Sequence, residues 1–489
     1  MRSGLSRAAV AREALPAFLL FAALAALARA SSFRAPLAED SGVYLYVGQV
    51  ILDGGVPYAD AADNKGPLTY LLFAFVRLVA GDSGVLVRLT LLLFAALAAL
   101  AVAAYVRRFA KRGAALLAGG VSAILGSTPV LEGADPNTEQ YGIAPLAGAL
   151  WLSVRGTRRS AAGAGALTAA AGLMNPGFLP LALPVAAGLW IEGSRDERGA
   201  RLVWATVAGA ALAAAFAAWI AVAGALPDFW TQVVGKASSA VSGGEAGDDL
   251  FGSRPLFAFA GRGLYALGAL GALAGLCTRA TRLPAATALL WLVVCWLRVK
   301  LSSYEFAHHF QLGVPGLAAG LGSGTAALAE KLQARPRGLR LVAAAALVGV
   351  LGVATWSYVG RYERDALAKQ PVQRAAFPRY AEAYPIGDFI RRNTQEGDEI
   401  FVAGNNATVY WRADRLAPTR FFADYPLVEP KYGPERRRKL LADPPVAVAT
   451  LPGGSFFIDD TRVLLRRHPY RLALDRGGGS RVWLLSPRR

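Results

Sequence analysis

The sequence predicts a polytopic α-helical membrane protein of about eleven transmembrane helices, followed by a small α/β domain. Of its 489 residues, 54% are hydrophobic, and the mean hydropathy is +0.37. Many apolar runs reach the roughly 20 residues that a helix needs to cross a bilayer. The composition changes at Gly360 to mixed polar and apolar segments. We therefore divide the chain into a transmembrane domain, 1–359, with a first outer loop at 34–84, and a C-terminal domain, 360–489.

The net charge of +18 raises the question of a nucleic-acid partner, but the distribution of charge favours a lipid bilayer. Lysine and arginine concentrate in short loops between apolar runs, as they do in cytoplasmic loops of membrane proteins. Such loops also contact anionic lipid or phosphate. We therefore expect no nucleic acid as a partner. The two cysteines, Cys277 and Cys295, both lie in apolar runs, which argues against a structural disulfide.

Residues 1–33 have the form of a signal peptide, with Arg2, Arg7 and Arg12 before an apolar core. The sequence Ala28-Arg29-Ala30 offers a cleavage site. An uncleaved signal anchor is the favoured alternative, because many apolar runs follow. In both cases the next segment lies on the outer side of the membrane.

Eleven apolar runs predict the spans. They lie near 15–33, 85–105, 113–130, 138–154, 160–174, 176–192, 202–224, 256–277, 283–298, 308–326 and 341–358. A shorter run, 67–80, is interpreted as an interfacial helix, because every basic loop then lies on one side of the membrane. This topology predicts a multi-pass protein of the cytoplasmic (inner) membrane, with a cytoplasmic N-terminus and an extracytoplasmic C-terminal domain.

The first outer loop carries the strongest candidates for chemistry. It begins with Glu39 and Asp40 and continues as a predicted amphipathic helix that stops at Gly54-Gly55. A carboxylate beside a membrane-bounded cleft can accept a proton from an acceptor hydroxyl, and we prefer Asp40 for this role. The alternative is a surface carboxylate or a helix N-cap. Lys65 follows at headgroup depth, where its ammonium suits a phosphate oxygen or simply anchors the chain at the interface.

Further candidates lie in two other predicted outer turns. Glu139 starts an outward-facing helix end, where the helix dipole alone favours an acidic residue. Arg298 and Lys300 lie outside against the general charge pattern and therefore call for an anionic partner such as a lipid phosphate. We expect His308 and His309 to bind a phosphate or sugar by hydrogen bonds. We expect no metal, because this spacing does not supply the roughly four ligands of a closed zinc site.

The C-terminal domain is predicted from a helix and several short strands. Residues 383–393 are predicted to form an amphipathic helix, and 398–404 and 446–452 to form buried strands. The final segment predicts a hairpin around Gly477-Gly478-Gly479. No P-loop, dinucleotide fingerprint or HExxH motif is evident in the sequence.

Several short motifs resemble the GT-C superfamily of polytopic glycosyltransferases. Asp40 to Tyr44 resembles the Asp-Glu-x-x-Tyr start of that family's first outer loop, and Lys65-Gly66-Pro67-Leu68 resembles its Lys/His-Pro-Pro-Leu segment. Residues 304–315, YEFAHHFQLGVP, resemble its late outer motif, and 398–404 and 407–421 resemble bacterial members. The bacterial branch shared with lipid A aminoarabinose transferases and protein O-mannosyltransferases is the most similar.

The resemblance implies an inverting transfer of a sugar from a polyprenyl-phosphate donor to a glycan, lipid or protein acceptor on the outer face. Asp40 would be the general base, with Glu39 beside it, and Tyr44 would contact substrate. Lys65 with Arg298 or Lys300 would hold the leaving phosphate. No cofactor is implied. Two alternatives stay open: a lipid-linked glycan transporter or flippase, which would need charges along a path through the spans, and a non-catalytic envelope assembly protein of the same fold.

Overall fold

The computed structural model describes the greater part of the chain. The described residues are 7–33, 35–128, 131–133, 135–192, 195–235, 255–301, 307–333, 335–339, 342, 349, 378–404, 406–423, 432–452, 455 and 457–486. Contacts divide the chain into two compact units. Unit one comprises 1–33, 88–216 and 237–365, and unit two comprises 34–87, 217–236 and 366–489.

Helices dominate the described residues. In chain order they are α1 (Arg7–Ala28), α2 (Glu39–Leu52), α3 (Pro67–Ala80), α4 (Gly84–Arg107), α5 (Arg112–Leu125), α6 (Thr138–Ser153), α7 (Arg158–Met174), α8 (Ala182–Glu192), α9 (Arg198–Val222), α10 (Leu226–Phe229), α11 (Pro255–Leu276), α12 (Arg282–Leu301), α13 (Val314–Leu332), α14 (Pro378–Asn393), α15 (Thr408–Ala413), α16 (Gly433–Ala442) and α17 (Ile458–Arg467). Short 3₁₀ segments lie at Ala30–Ser32, Pro176–Leu181, Arg195–Glu197 and Ala307–Gly313.

Ten of the eleven predicted apolar runs coincide with these helices or with a 3₁₀ segment that continues into one. The eleventh, 341–358, lies almost wholly outside the described residues. By length and composition, α4, α9, α12 and the continuous segment His308–Leu332 could each cross a membrane. The short run 67–80 forms α3, a 14-residue helix. The exact number of spans and their direction remain predictions.

Small residues let the helices of unit one approach closely. Phe21 and Ala25 of α1 pack with Ala96 and Ala99 of α4 in a buried cluster. A Cβ on Gly324 would lie 2.4 Å from the carbonyl oxygen of Gly271, so α11 and α13 meet backbone to backbone. Such contacts between small residues are how helices associate in lipid, where lipid tails remove the hydrophobic driving force.

Unit two is built around a four-stranded sheet. Its strands are β1 (Ile400–Ala403), β2 (Ala447–Thr450), β3 (Tyr470–Asp475) and β4 (Arg481–Leu485), in the order β1-β2-β4-β3. The β1–β2 pair is parallel, and the other two pairs are antiparallel. The first two strands and the hairpin fall within the ranges that the sequence predicts, and 383–393 lies within α14.

The first outer loop belongs to unit two by its contacts. Trp411 of α15 donates a hydrogen bond from Nε1 to the carbonyl oxygen of Gly81 at 3.1 Å, and Arg77 of α3 pairs with Asp414 at 2.5 Å. A Cβ on Gly42 would lie 2.5 Å from the backbone nitrogen of Thr408. The sequence predicts this loop as part of the transmembrane domain, because contacts between helices so distant in the chain leave no local pattern.

The predicted amphipathic character of α2 is not observed. Val43, Val47 and Val50 are buried on one face, but Ser41 and Leu45 on the opposite face are also buried. The reason is that α3 and α15 both pack against α2. A helix enclosed on several sides needs no polar face.

Candidate active site

Asp40 is the second residue of α2 and is half-buried. The N-cap position belongs to Ala38, and no side chain caps the helix. The Tyr44 hydroxyl donates a hydrogen bond to Oδ2 of Asp40 at 3.3 Å, and the Tyr380 hydroxyl donates to Oε2 of Glu39 at 3.2 Å. The structure therefore removes the N-cap explanation for Asp40 and gives both carboxylates a tyrosine partner.

Asp63 is a further candidate, which the sequence alone does not indicate. Its side chain is only 5% exposed, and it accepts a hydrogen bond from the Tyr70 hydroxyl at 2.7 Å. Burial raises the pKa of its carboxyl above the ordinary value, and the charge of Asp40 adds to this, whereas Lys65 and Tyr70 oppose it. Lys65 and Asp40 therefore both lie within electrostatic range of the buried Asp63 carboxyl.

Two tyrosine hydroxyls hold the backbone of Lys65 by hydrogen bonds. Its amide N–H donates to the Tyr70 hydroxyl oxygen at 3.0 Å, and its carbonyl accepts from the Tyr58 hydroxyl at 2.8 Å. Tyr58 itself has a left-handed backbone, with φ of 72°, which costs free energy for a bulky residue. Within the described residues, the Lys65 ammonium forms no hydrogen bond or ion pair. A lysine whose backbone is fixed, and whose ammonium donates no hydrogen bond among the described residues, is suited to bind an anion.

The remaining predicted site residues lie in unit one. Glu139, in the first turn of α6, is 2% exposed. It accepts hydrogen bonds from the Thr138 hydroxyl at 2.9 Å and from Nη2 of Arg298 at 3.2 Å. Arg298 thus has an anionic partner within the protein, and the charge pattern alone no longer requires an external one. Its guanidinium also lies over Phe178, 5.3 Å from the ring centroid.

Arg298 keeps capacity for a further contact. Its Nη1 is buried and has no hydrogen-bond partner among the described residues. The Lys300 ammonium lies 5.4 Å from the ring centroid of Trp296, which is within the range of a cation–π interaction. Tyr304 and Glu305, which belong to the late motif, lie outside the described residues.

The two histidines lie in the 3₁₀ segment before α13. Nδ1 of His308 lies 2.5 Å from a carboxylate oxygen of Glu132, and the two imidazole rings meet edge to face at 4.7 Å. Ligand atoms of Glu139, His308 and His309 all lie within 4.8 Å of one another. The structure therefore brings Glu139, Arg298, His308 and His309 into one polar cluster of unit one.

Unit one also contains two buried arginines that the sequence does not indicate as site residues. Arg29, which is fully buried, donates from Nη2 to the hydroxyl of Ser127 at 2.6 Å, and Arg88, 1% exposed, lies 3.6 Å from a carboxylate oxygen of Asp135. Arg29 lies within the predicted cleavage motif, and Arg88 lies within a predicted span. Neither the cleavage motif nor the apolar run predicts a buried arginine.

Unit two contains a polar cavity of about 500 Å³ at the far end of α2 from Asp40. Four carboxylates line it, from Asp53, Asp60, Glu399 and Glu435, together with three cations, from Arg420, Arg436 and Lys439. Burial raises the pKa of Glu399 above its ordinary value, while Lys439 opposes the shift. These residues come from four separate segments, so the sequence offered no local signal for the cavity.

Comparisons with known proteins bear on the fold. No protein-family model matches the chain, and no curated protein matches it. ArnT from Cupriavidus metallidurans, in a crystal structure bound to undecaprenyl phosphate, superposes with a TM-score of 0.64 at 14% identity, over 96% of this chain and 99% of that chain.

The oligosaccharyltransferase of Archaeoglobus fulgidus in its apo form superposes with a TM-score of 0.53 at 12% identity, over 97% of this chain and 74% of that chain. The chain has the GT-C fold. The resemblance inferred from the short motifs is thereby confirmed at the level of fold. The apolar helices and these membrane-protein neighbours fit an integral membrane protein. The roles of Asp40, Lys65 and the other site residues remain predictions within the GT-C fold.

Proposed function

We propose that this protein is a membrane glycosyltransferase that transfers a sugar from a polyprenyl-phosphate donor to an acceptor on the outer face of the cytoplasmic membrane. The observation that carries the proposal is the group of Asp40, Asp63 and Lys65 in unit two. We propose that Asp40 accepts a proton and that the Lys65 ammonium holds a phosphate, because both charges lie within electrostatic range of Asp63. The fold shared with ArnT, whose crystal structure contains undecaprenyl phosphate, supports the choice of donor.

In the proposed reaction, an acceptor hydroxyl attacks the anomeric carbon of the donor sugar. Asp40 takes the hydroxyl proton as the new carbon–oxygen bond forms. The bond from the anomeric carbon to the phosphate oxygen breaks, and the lipid phosphate leaves with the electron pair. Attack opposite the leaving group inverts the anomeric configuration. Lys65 offsets the charge that develops on the leaving phosphate.

Asp63 is assigned a positioning role. Its buried carboxylate lies close enough to Lys65 and Asp40 for mutual electrostatic effects, while Tyr70 connects Asp63 to the backbone of Lys65. We propose that this arrangement fixes where the ammonium points. Glu39 and Tyr44 border Asp40, and we propose that Arg298, Lys300, His308 and His309 contact the donor's phosphate or sugar. The acceptor is a glycan, lipid or protein, and the reaction uses no cofactor.

A reconstitution experiment tests the proposed function. The purified protein is incorporated into liposomes with a panel of polyprenyl-phosphate sugars and candidate acceptors, and mass spectrometry follows the released polyprenyl phosphate and the glycosylated product. We expect one donor to be consumed by the wild-type protein and not by Asp40→Asn. Movement of an intact lipid-linked sugar between leaflets without its consumption would instead identify a flippase.

A further inference from the structure

The polar cavity of unit two is separate from the proposed catalytic group. Asp53, which directly follows α2, lines the cavity, whereas Asp40 lies in the first turn of the same helix. At 1.5 Å per residue, about 20 Å separates the two positions along the helix axis. The cavity volume of about 500 Å³ is within the range of small-molecule sites, roughly 300–1,000 Å³. The cavity can therefore hold a ligand group of its own.

A buried tyrosine that lines this cavity has a hydroxyl proton to donate. Tyr46 is 1% exposed, and its hydroxyl oxygen accepts the amide N–H of Ala417 at 3.0 Å. Within the described residues, the hydroxyl itself donates no hydrogen bond. A buried donor of this kind favours a ligand that supplies an oxygen acceptor, because an unmade hydrogen bond costs free energy.

Three carboxylates lie within electrostatic range of the same hydroxyl. Burial raises the pKa of Tyr46 above its ordinary value, and the charges of Glu399, Asp53 and Asp60 add to this, whereas the bond from Ala417 opposes it. The three carboxylates come from segments on both sides of the cavity in the chain, before residue 61 and after residue 398. They therefore converge on one part of the cavity.

Neutral donors hold two of these carboxylates in place. Oδ2 of Asp60 accepts the amide N–H of Val56 at 2.7 Å, and the Asp53 carboxylate accepts hydrogen bonds from Nε2 of Gln49 at 2.9 and 3.0 Å. These bonds fix the carboxylates and leave their negative charges uncancelled. The Glu399 side chain forms no hydrogen bond or ion pair with a described residue.

The arginines that line the cavity pair with carboxylates that do not line it. Nη1 of Arg420 lies 2.7 Å from Asp228. Nε of Arg436 lies 2.6 Å from Asp460, which also accepts Nε of Arg437 at 2.6 Å. Asp228 thus neutralises Arg420, and Asp460 neutralises one of the two arginines that it contacts.

The charge that remains in and beside the cavity favours a cation. The lining carboxylates number four, and the cations left to offset them are Lys439 and one of the two arginines at Asp460. Four carboxylates against two cations leave a net charge of −2. A cleft with a net negative charge attracts cationic ligands.

We propose that this cavity binds a sugar that carries a protonated amine, such as a hexosamine. The ammonium is held by the carboxylates of Asp53, Asp60 and Glu399, and a sugar oxygen accepts the proton of the Tyr46 hydroxyl. Because the cavity is distant from Asp40 along α2, the bound sugar is not the one that reacts. The choice of a sugar rests on the proposed function, whereas the choice of a cation rests on the charges of the cavity.

Binding of monosaccharides tests the proposal without any transfer reaction. Purified full-length protein in detergent is titrated at about pH 6.5, where an amine keeps its proton, and saturation-transfer difference NMR gives the apparent Kd. Glucosamine should bind about 10-fold or more tightly than glucose, because its ammonium adds a charge-assisted contact. Glu399→Gln and Asp60→Asn should each reduce this preference several-fold and leave glucose binding unchanged. Asp60→Asn can still accept the Val56 amide N–H, so its fold should be retained.

Asp459→Asn is the matched control for the two carboxylate variants. It removes a carboxylate of unit two that is 70% exposed and does not line the cavity, so it should bind glucosamine like the wild type. Lys65→Ala, in the proposed donor site, should do the same. Loss of glucosamine binding in Lys65→Ala would place the sugar at the catalytic group and overturn the proposal.

A lysine derivative that is blocked at both ends carries the same single charge without sugar hydroxyls. Tighter binding of this derivative than of glucosamine would assign the cavity to a basic peptide and overturn the proposal. Equal affinity of the wild type for glucosamine and glucose, no binding of either sugar, or wild-type affinity in both carboxylate variants would also overturn it. Glucosamine binding as expected, in a protein that transfers no sugar, would contradict only the proposed function.

Discussion

The hydroxyl of Tyr70 donates a 2.7 Å hydrogen bond to Asp63, and the same oxygen accepts the amide N–H of Lys65 at 3.0 Å. One side chain from the first turn of α3 thus fixes both the buried carboxylate and the backbone of the lysine. The pKa of Asp63 is raised chiefly by burial. A carboxylate held in this way should make the stability of unit two depend on pH.

The first prediction concerns that dependence. Because the folded-state pKa of Asp63 lies above its unfolded value, the folded protein keeps the proton over a pH range in which the unfolded chain has lost it. The free energy of unfolding therefore falls as pH rises through the folded-state pKa. Asp63→Asn removes this linkage, so the variant should gain stability relative to wild type as pH rises. Thermal unfolding in detergent between about pH 4 and about pH 8 measures the difference.

Asp459→Asn serves as the control for this series. Asp459 also lies in unit two, but its side chain is 70% exposed, and exposed ion pairs contribute little to stability. Its difference from wild type should stay nearly constant over the same range. A constant difference for Asp63→Asn as well would mean that the carboxyl titrates normally in the folded protein.

The second prediction concerns the contact between α2 and α15. A Cβ on Gly42 would lie 2.5 Å from the backbone nitrogen of Thr408, and a backbone atom cannot rotate away. Gly42→Ala should therefore lower stability by about 1–3 kcal/mol. Gly113→Ala is the matched control, since nothing lies within 4 Å of its Cβ position. Equal melting temperatures for the two variants would contradict the close approach of these helices.

The sequence predicted the elements more fully than the site. Apolar runs located the helices, and β1, β2 and the hairpin at Gly477 followed from local patterns. Asp63 was missed because its burial depends on Tyr70 and on Gln232, which accepts the Asp63 amide N–H at 3.0 Å from a distant segment. The cluster of Glu132, Glu139 and His308 was missed for the same reason. The hydrophobic pattern of a segment predicts which of its faces are buried. It does not predict which segments distant in the sequence come together to form a site.

The third prediction concerns topology. The charge pattern places the loop between α4 and α5 in the cytoplasm. Ala110→Cys, in a Cys277→Ser background that removes the exposed native cysteine, should resist a membrane-impermeant thiol reagent in intact cells and react after permeabilisation. Gly478→Cys, at an exposed position of the C-terminal domain, serves as the control for a residue predicted to lie outside. Labelling at position 110 from outside the cell would reverse the predicted orientation.

The fourth prediction concerns the proposed general base. Asp40→Asn keeps the size of the side chain and its ability to accept a hydrogen bond from Tyr44, but it removes the basic oxygen. We expect turnover to fall on the order of 100-fold or more, with donor affinity nearly unchanged. Glu39→Gln should have a smaller effect. Near wild-type turnover of Asp40→Asn at saturating substrate would exclude Asp40, and Asp63→Asn would then be tested as the base.

The last prediction concerns the donor phosphate. The ammonium of Lys65 forms no hydrogen bond or ion pair with a described residue, whereas Lys65 has its backbone fixed by Tyr58 and Tyr70. A charge-assisted contact with a phosphate contributes about 1.5–3 kcal/mol. Lys65→Ala should therefore weaken apparent donor affinity by about 10- to 100-fold. Lys65→Arg should restore it only in part, because a planar guanidinium does not reproduce a compact ammonium.

Arg298 and Lys300 provide the comparison for Lys65. Arg298→Ala should also weaken donor use through its buried Nη1, but it breaks the 3.2 Å contact with Glu139 as well, so a lower melting temperature should accompany the loss. Lys300→Ala should act on the donor step, and Lys331→Ala, at the opposite end of α13 from His308, should leave that step unchanged. The apparent affinity for a polyprenyl-phosphate donor is measured by titration for the alanine variants of Lys65, Arg298, Lys300 and Lys331. Unchanged donor affinity in Lys65→Ala, Arg298→Ala and Lys300→Ala would place the phosphate elsewhere, and Lys65 would then act only as an anchor at the membrane interface.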